Sequence, residues 1–216
     1  MNRREELRPG LLGQLMGIDA EEAAVIIASL EETRALPGAV CEFGVAQGAT
    51  TALIANEIRD EGTALHLFDS FEGLPAPGAH DVLLNDVLHL GGLEAYAGAM
   101  SCPENMVRER LRLVDFPECR TFIHVGYVDK TLGDVRALPA LVRFAFVDLD
   151  FYQGTLEALS FLDGVAVPGA IVVVDDYGFF TTGARTAVEE WLRDAGRWQV
   201  REGDGWAVLR RGMASR

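Results

Sequence analysis

Phe144-Ala145-Phe146-Val147-Asp148-Leu149-Asp150 and Ala170-Ile171-Val172-Val173-Val174-Asp175-Asp176 decide the fold of this chain. Each begins with an apolar run rich in β-branched or aromatic residues. Each run is too short for a helix, so each predicts a buried strand. Laid side by side in a parallel sheet, the two strands end on one edge. Three or four carboxylates then share a crevice, where open α/β sheets bind their ligands. Like charges that close repel strongly unless a cation or proton joins them. A hard divalent cation with oxygen ligands is the simplest resolution.

Outward from these runs, strand-like and helix-like segments alternate. Strands are predicted at Ala39 to Phe43, Ala64 to Phe68 and Thr121 to Val125, besides Arg143 to Val147 and Ala170 to Val174. Helices are predicted from Asp19 to about Ala35, Thr50 to Arg59, Tyr152 to Leu162 and Ala184 to Asp194. Asp19 with Glu22 three residues on suits a helix start, and Pro37-Gly38 suits its end. Trp198 to Arg201 and Trp206 to Leu209, joined by Glu202-Gly203-Asp204-Gly205, predict a terminal antiparallel hairpin. The fold class is α/β, a Rossmann-like and mostly parallel sheet with helices on both faces. One domain is expected over residues 1–216, with a helical segment over 1–36. Residues 72–103, which carry Pro75, Pro77, Gly91, Gly92 and Gly98 around an apolar stretch, are expected to form a lid insertion.

The chain has 216 residues, about half of them apolar, which is enough for a sizeable core. Its formal charge of −14 argues against nucleic acid or an anionic membrane as partner. No apolar run approaches the roughly 18 residues of a membrane span. The first residues contain no apolar signal core. Cys41, Cys102 and Cys119 are too few and too scattered for a disulfide framework or a zinc pair. A reducing, cytoplasmic setting is the expectation.

Glu42-Phe43-Gly44-Val45-Ala46-Gln47-Gly48 joins the first strand to its helix. The spacing E-x-G-x-x-x-G is not the dinucleotide fingerprint, because position 46 is Ala. It is not a phosphate-binding P-loop either, because no Lys follows the glycine. Glycines here let a backbone approach a nucleoside with a short amino-acid tail. The next strand ends at Asp69, about 20 residues on, where an acid suits the two hydroxyls of a ribose. Loop and acid together predict an adenosyl nucleoside site.

Four blocks occur in order: Glu42-Phe-Gly44-Val-Ala-Gln-Gly48, Phe68-Asp69-Ser70-Phe71-Glu72-Gly73-Leu74-Pro75, Asp148-Leu-Asp150-Phe-Tyr152-Gln-Gly-Thr155 and Val174-Asp175-Asp176-Tyr177-Gly178. They resemble the macrocin O-methyltransferase family over about residues 40–192. The resemblance implies a class I S-adenosylmethionine-dependent, magnesium-dependent enzyme that methylates sugar hydroxyls in antibiotics and related glycosides. It implies Asp148, Asp175 and Asp176 as metal ligands and Asp150 as general base. It places Glu42, Gly44, Gly48, Thr50, Asp69, Ser70, Gly126 and Asp148 at the cofactor. A homodimer is a further implication. Two departures bear on the acceptor. Only about 36 residues precede the first strand, fewer than the family usually has. Residues 126–132, Gly-Tyr-Val-Asp-Lys-Thr-Leu, match the corresponding segment loosely.

All-oxygen ligands favour magnesium, with manganese or calcium also suited. Methylation of a catechol or another non-sugar vicinal diol is the alternative acceptor chemistry. A non-catalytic, cofactor-binding scaffold is the alternative outside catalysis, but an idle carboxylate cluster would cost stability through repulsion. Hydroxylation would need a redox centre for which no motif is present.

Overall fold

The computed structural model describes residues 3–133 and 136–213. In chain order the elements are α1 (Arg3–Leu12), α2 (Ala20–Thr33), β1 (Ala39–Phe43), α3 (Ala49–Ile58), β2 (Leu65–Asp69), α4 (Glu104–Leu113), β3 (Thr121–Val125), α5 (Val128–Thr131), β4 (Val142–Val147), α6 (Tyr152–Val165), β5 (Ala166–Tyr177), α7 (Gly183–Asp194), β6 (Trp198–Glu202) and β7 (Gly205–Arg211). The seven strands form one sheet in the order β3-β2-β1-β4-β5-β7-β6. The first five are parallel. β7 runs antiparallel between β5 and β6, so the terminal hairpin closes one edge as expected. Strand order reverses between β1 and β4, and the crevice of an open α/β sheet lies at that switch point.

Side chains alternate across the sheet because the strand period is two. Val40, Leu67, Phe144, Phe146, Ile171 and Val173 face α2, α3 and α4 in one apolar core. Cys41, Phe43, Phe68, Ala145, Val147 and Val172 face α6 and α7 in the other. The central strands β1 and β4 are buried along their whole length, as parallel strands covered on both faces must be. α2 begins where Asp19 accepts the Glu22 backbone N–H at 2.8 Å. That bond satisfies one of the orphan donors of its first turn. α4 is a helix the sequence pattern did not single out. It buries only Val107 and Leu111, a two-residue stripe at i and i+4.

Residues 72–103 are held down rather than loose. Tyr96 is fully buried against Phe151 and Phe180 in a small third core with Leu74. Its hydroxyl donates to Asp86 at 2.7 Å and accepts from the Leu88 N–H at 2.8 Å. Leu83 forms a β-bridge with Thr181. The Leu84 N–H donates to the Phe180 carbonyl and the Thr182 N–H to the Val82 carbonyl. The insertion is therefore sewn to the segment that follows β5, over the carboxyl edge of the sheet.

Candidate active site

Asp148 follows β4, in phase with Phe144 and Phe146, so it starts on the α2–α3 side of the sheet. Asp150 lies two residues further, at φ +63°, and Asp176 stands one residue before the end of β5, at φ +55°. A left-handed backbone costs a non-glycine residue of order 1 kcal/mol, and aspartate tolerates it better than most. A tight turn closes beside each: the Phe151 N–H reaches the Leu149 carbonyl, and the Gly178 N–H reaches the Asp176 carbonyl, both at 2.6 Å. The Thr181 hydroxyl fixes the Asp150 carbonyl at 2.8 Å. These turns aim both side chains at one point. One carboxylate oxygen from each of Asp148, Asp150 and Asp176 lies within 4.8 Å of the others.

The cluster is electrostatically loaded. Burial first, and neighbouring carboxylates second, push Asp148, Asp150 and Asp175 well above the usual carboxylate range. Burial also raises Asp176, although a hydrogen bond with Asp150 partly offsets it. Carboxyls held in this way need protons or a cation. Three hard oxygens at this spacing fit a divalent ion of the magnesium or calcium type.

Asp175 does not join this group. Consecutive strand residues point to opposite faces, and Asp175 is in phase with Ile171 and Val173, toward α2. There it meets the side chain of Glu22 in hydrogen-bond contact. Asp148, in phase with Phe146, starts on that same face, so Asp175 stands beside Asp148 while lying outside the group of three. The Asp175 charge still acts on Asp148. Glu22 is a site residue that sequence reasoning missed. Its position in the first turn of α2 signalled only a cap, while in the fold it is 3 % exposed. Burial, followed by the charge of Asp148, pushes its carboxyl up to about 8.

The glycine loop is shaped by its neighbours. A Cβ on Gly44, at φ +81°, would stand 1.6 Å from the Asp148 carbonyl oxygen. Only glycine lets the end of β1 pass the end of β4 there. Gly48, at φ +78°, precedes α3, and a Cβ there would stand 3.2 Å from the Val107 Cα of α4. Thr50 is buried in the first turn of α3. Asp69, at the end of β2, accepts the Val45 and Ala46 N–H groups at 2.7 and 2.8 Å and the Phe71 N–H at 2.6 Å. Its carboxylate ties the loop to the end of β2 and, of its roughly four acceptor sites, keeps about one to spare. The Ser70 hydroxyl accepts the Glu72 N–H and donates to the Gly73 carbonyl, which fixes the turn into the insertion. Gly126 follows β3 at φ +138° and donates its N–H to the Asp69 carbonyl at 2.9 Å. Loop, Asp69 and Gly126 therefore line the ends of three adjacent strands, a cradle that fits an adenosyl nucleoside.

Glu42 lies fully buried beneath this loop. Burial, and secondarily Asp69, push its carboxyl up to about 8. The Thr51 hydroxyl beside it eases the charge, yet neither Glu42 oxygen nor that hydroxyl has a hydrogen bond of sound geometry. With no exposed surface, Glu42 lies in the core near the end of β1.

A Rossmann-like sheet with an acidic crevice at its switch point and a glycine loop beside it defines the class. The sequence profile of the macrocin-O-methyltransferase (TylF) family matches residues 22–209, and the chain belongs to that family of methyltransferases. It is 30 % identical over 162 residues to the 8-demethyl-8-(2,3-dimethoxy-α-L-rhamnosyl)-tetracenomycin-C 4′-O-methyltransferase of Streptomyces olivaceus. That match spans 72 % of this chain and 58 % of the relative, so the chain covers little more than half of that relative's length. The fold is that of the O-methyltransferase NovP, with a TM-score of 0.77, 22 % identity, and 96 % of this chain and 88 % of that one covered. It is also that of the calicheamicin methyltransferase CalS11, with a TM-score of 0.66, 21 % identity, and 96 % and 91 % covered. No helix among the described residues is long and apolar enough to cross a membrane.

Proposed function

We propose that the protein transfers a methyl group from S-adenosylmethionine to a sugar hydroxyl, with a divalent cation, magnesium by preference, at its acidic crevice. The observation that carries this is the meeting of Asp148, Asp150 and Asp176 within 4.8 Å beside the glycine cradle. The sugar acceptor follows from the family and from the glycoside that the Streptomyces relative acts on.

The donor's sulfonium methyl is already activated, so the difficulty lies with the acceptor oxygen. A simple hydroxyl has a pKa near that of water, about 15.7. Ionising it at pH 7 costs roughly 12 kcal/mol at about 1.36 kcal/mol per unit. A bound divalent cation supplies stabilisation of alkoxide character. Asp148 and Asp176 are the residues that would hold it, with a third oxygen from Asp150 or, after a side-chain turn, from Asp175. Asp150 would take the acceptor proton on its free carboxylate oxygen. Gly44, Gly48, Asp69 and Gly126 would seat the donor so that the methyl faces the acceptor. The insertion over residues 72–103 would exclude water above them. The free thiols Cys41, Cys102 and Cys119 support a reducing, cytoplasmic setting.

The test is calorimetric titration with S-adenosylmethionine after chelation and again with magnesium restored. A panel of vicinal-diol sugars read by mass spectrometry then follows the methyl. Cofactor binding with metal-dependent methylation supports the proposal. Failure to bind S-adenosylmethionine under either condition refutes it.

A further inference from the structure

We propose that Glu22 is a positioning residue of the acidic crevice, which orients Asp175 and offers its free carboxylate oxygen to the hydration shell of the cation. This rests on the metal reading given above. Glu22 is 97 % buried by the complement of its 3 % exposure, yet it packs against carboxyls rather than a cation. One side of its carboxyl meets Asp175, while its Oε1 has no hydrogen-bond partner. A buried acceptor left unpaired is costly, and a hydrogen from a water or ligand relieves it. The backbone explains why it stays there. Asp19 caps the Glu22 N–H, which anchors the first turn of the fourteen-residue α2 above the ends of β4 and β5. Ala23, Ile26 and Leu30 then lock that helix into the core.

Such a carboxyl suits a magnesium site for a chemical reason. Magnesium sheds water reluctantly and keeps several waters, whose hydrogens need fixed acceptors. Residues that accept from such waters or hold a ligand in place typically change metal affinity 10- to 100-fold. Glu22 Oε1 is an unfilled acceptor among the crevice carboxyls, and its contact with Asp175 adds to the Asp176 N–H that holds Asp175 Oδ1 at 2.7 Å. The sequence signal is small, because a first-turn glutamate normally caps its own helix.

The test is Mn²⁺ titration followed by electron paramagnetic resonance of the free ion, on wild type, Glu22→Gln, Glu22→Leu and Glu22→Ala. Glutamine keeps both a donor for Asp175 and an acceptor, so Mn²⁺ affinity should stay within about threefold. Leucine removes both, and affinity should fall 10- to 100-fold while S-adenosylmethionine affinity is unchanged. Alanine removes the same carboxyl without bulk and carries the test if the leucine variant does not fold. Mn²⁺ binding by the apolar variants equal to wild type overturns the inference and leaves the metal site standing. A loss in Glu22→Gln as large as in Glu22→Leu overturns the positioning role and makes Glu22 a direct ligand through its charge. Absence of Mn²⁺ binding in wild type overturns the inference together with the metal reading.

Discussion

Glu42→Gln should stabilise the ligand-free protein at high pH and leave it little changed at low pH. In the fold the Glu42 carboxyl is pushed up to about 8, while its ordinary value is 4.5. A raised carboxyl contributes its full stability below the unfolded value and loses it as pH rises through the folded value. Between these limits the folded chain holds a proton that the unfolded chain has released. The interval of about 3.5 units, at about 1.36 kcal/mol each, amounts to roughly 4–5 kcal/mol. Because the group is fully buried, solvent screening does not reduce this much. Glutamine has nearly the same shape and cannot ionise, so it removes the slope. From pH 5 to pH 9 the variant should gain about 4 kcal/mol on wild type, or roughly 10 °C in Tm for a chain of this size. Calorimetric melts of both proteins at unit steps of pH give the comparison directly. Parallel melting profiles across that range would mean that Glu42 is ionised in the fold, and the account of a neutral buried carboxyl would fail.

Gly44→Ala forces a Cβ to within 1.6 Å of the Asp148 carbonyl oxygen, at a left-handed backbone angle. It should lower stability by several kcal/mol, on the order of the larger single-site effects, and move Asp148; a folded variant with unaltered Mn²⁺ affinity would contradict that. Asp176→Asn removes one charge from the carboxylate cluster, so the chelated protein should melt higher than wild type. Its gain in Tm on adding magnesium should vanish, where wild type at 100 times its Kd gains about 2.7 kcal/mol; retention of that gain in a melting assay would exclude Asp176 as a ligand. His66 is driven down to about 4 by burial and by His124, 3.1 Å away. A lowered histidine contributes stability above its ordinary value of 6.5 and loses it as pH falls toward 4. His66→Phe should therefore lessen acid destabilisation in that window by roughly 1–3 kcal/mol, and equal acid melts for the two proteins would refute it.

Local pattern was enough for the sheet and for most of its order of elements. Runs such as Phe144 to Val147 and Ile171 to Val174 are strands because a short, β-branched, wholly apolar run has no other way to bury both faces. Thr121 to Val125 and Ala39 to Phe43 coincide with strands residue for residue. Helix α4 escaped because a stripe of only Val107 and Leu111 is indistinguishable from loop in one dimension. The expected lid is a segment whose fixation comes from distant partners: Tyr96 on Phe180, and Leu83 beside Thr181.

The sequence by itself placed acids at the ends of two neighbouring strands and a glycine loop at the end of a third, since strand ends and turns are local properties. Only the tertiary structure decided which carboxylates meet. Two left-handed turns bring Asp148, Asp150 and Asp176 together, while Asp175 stays on the α2 face against Glu22. Gly44 was expected at the cofactor from its spacing alone; the contact that demands glycine there is with the Asp148 backbone, about a hundred residues away in the chain. Glu22 and Glu42 became unusual only on burial. The energy of a carboxyl depends on what surrounds it in space, and neighbours in sequence do not fix that.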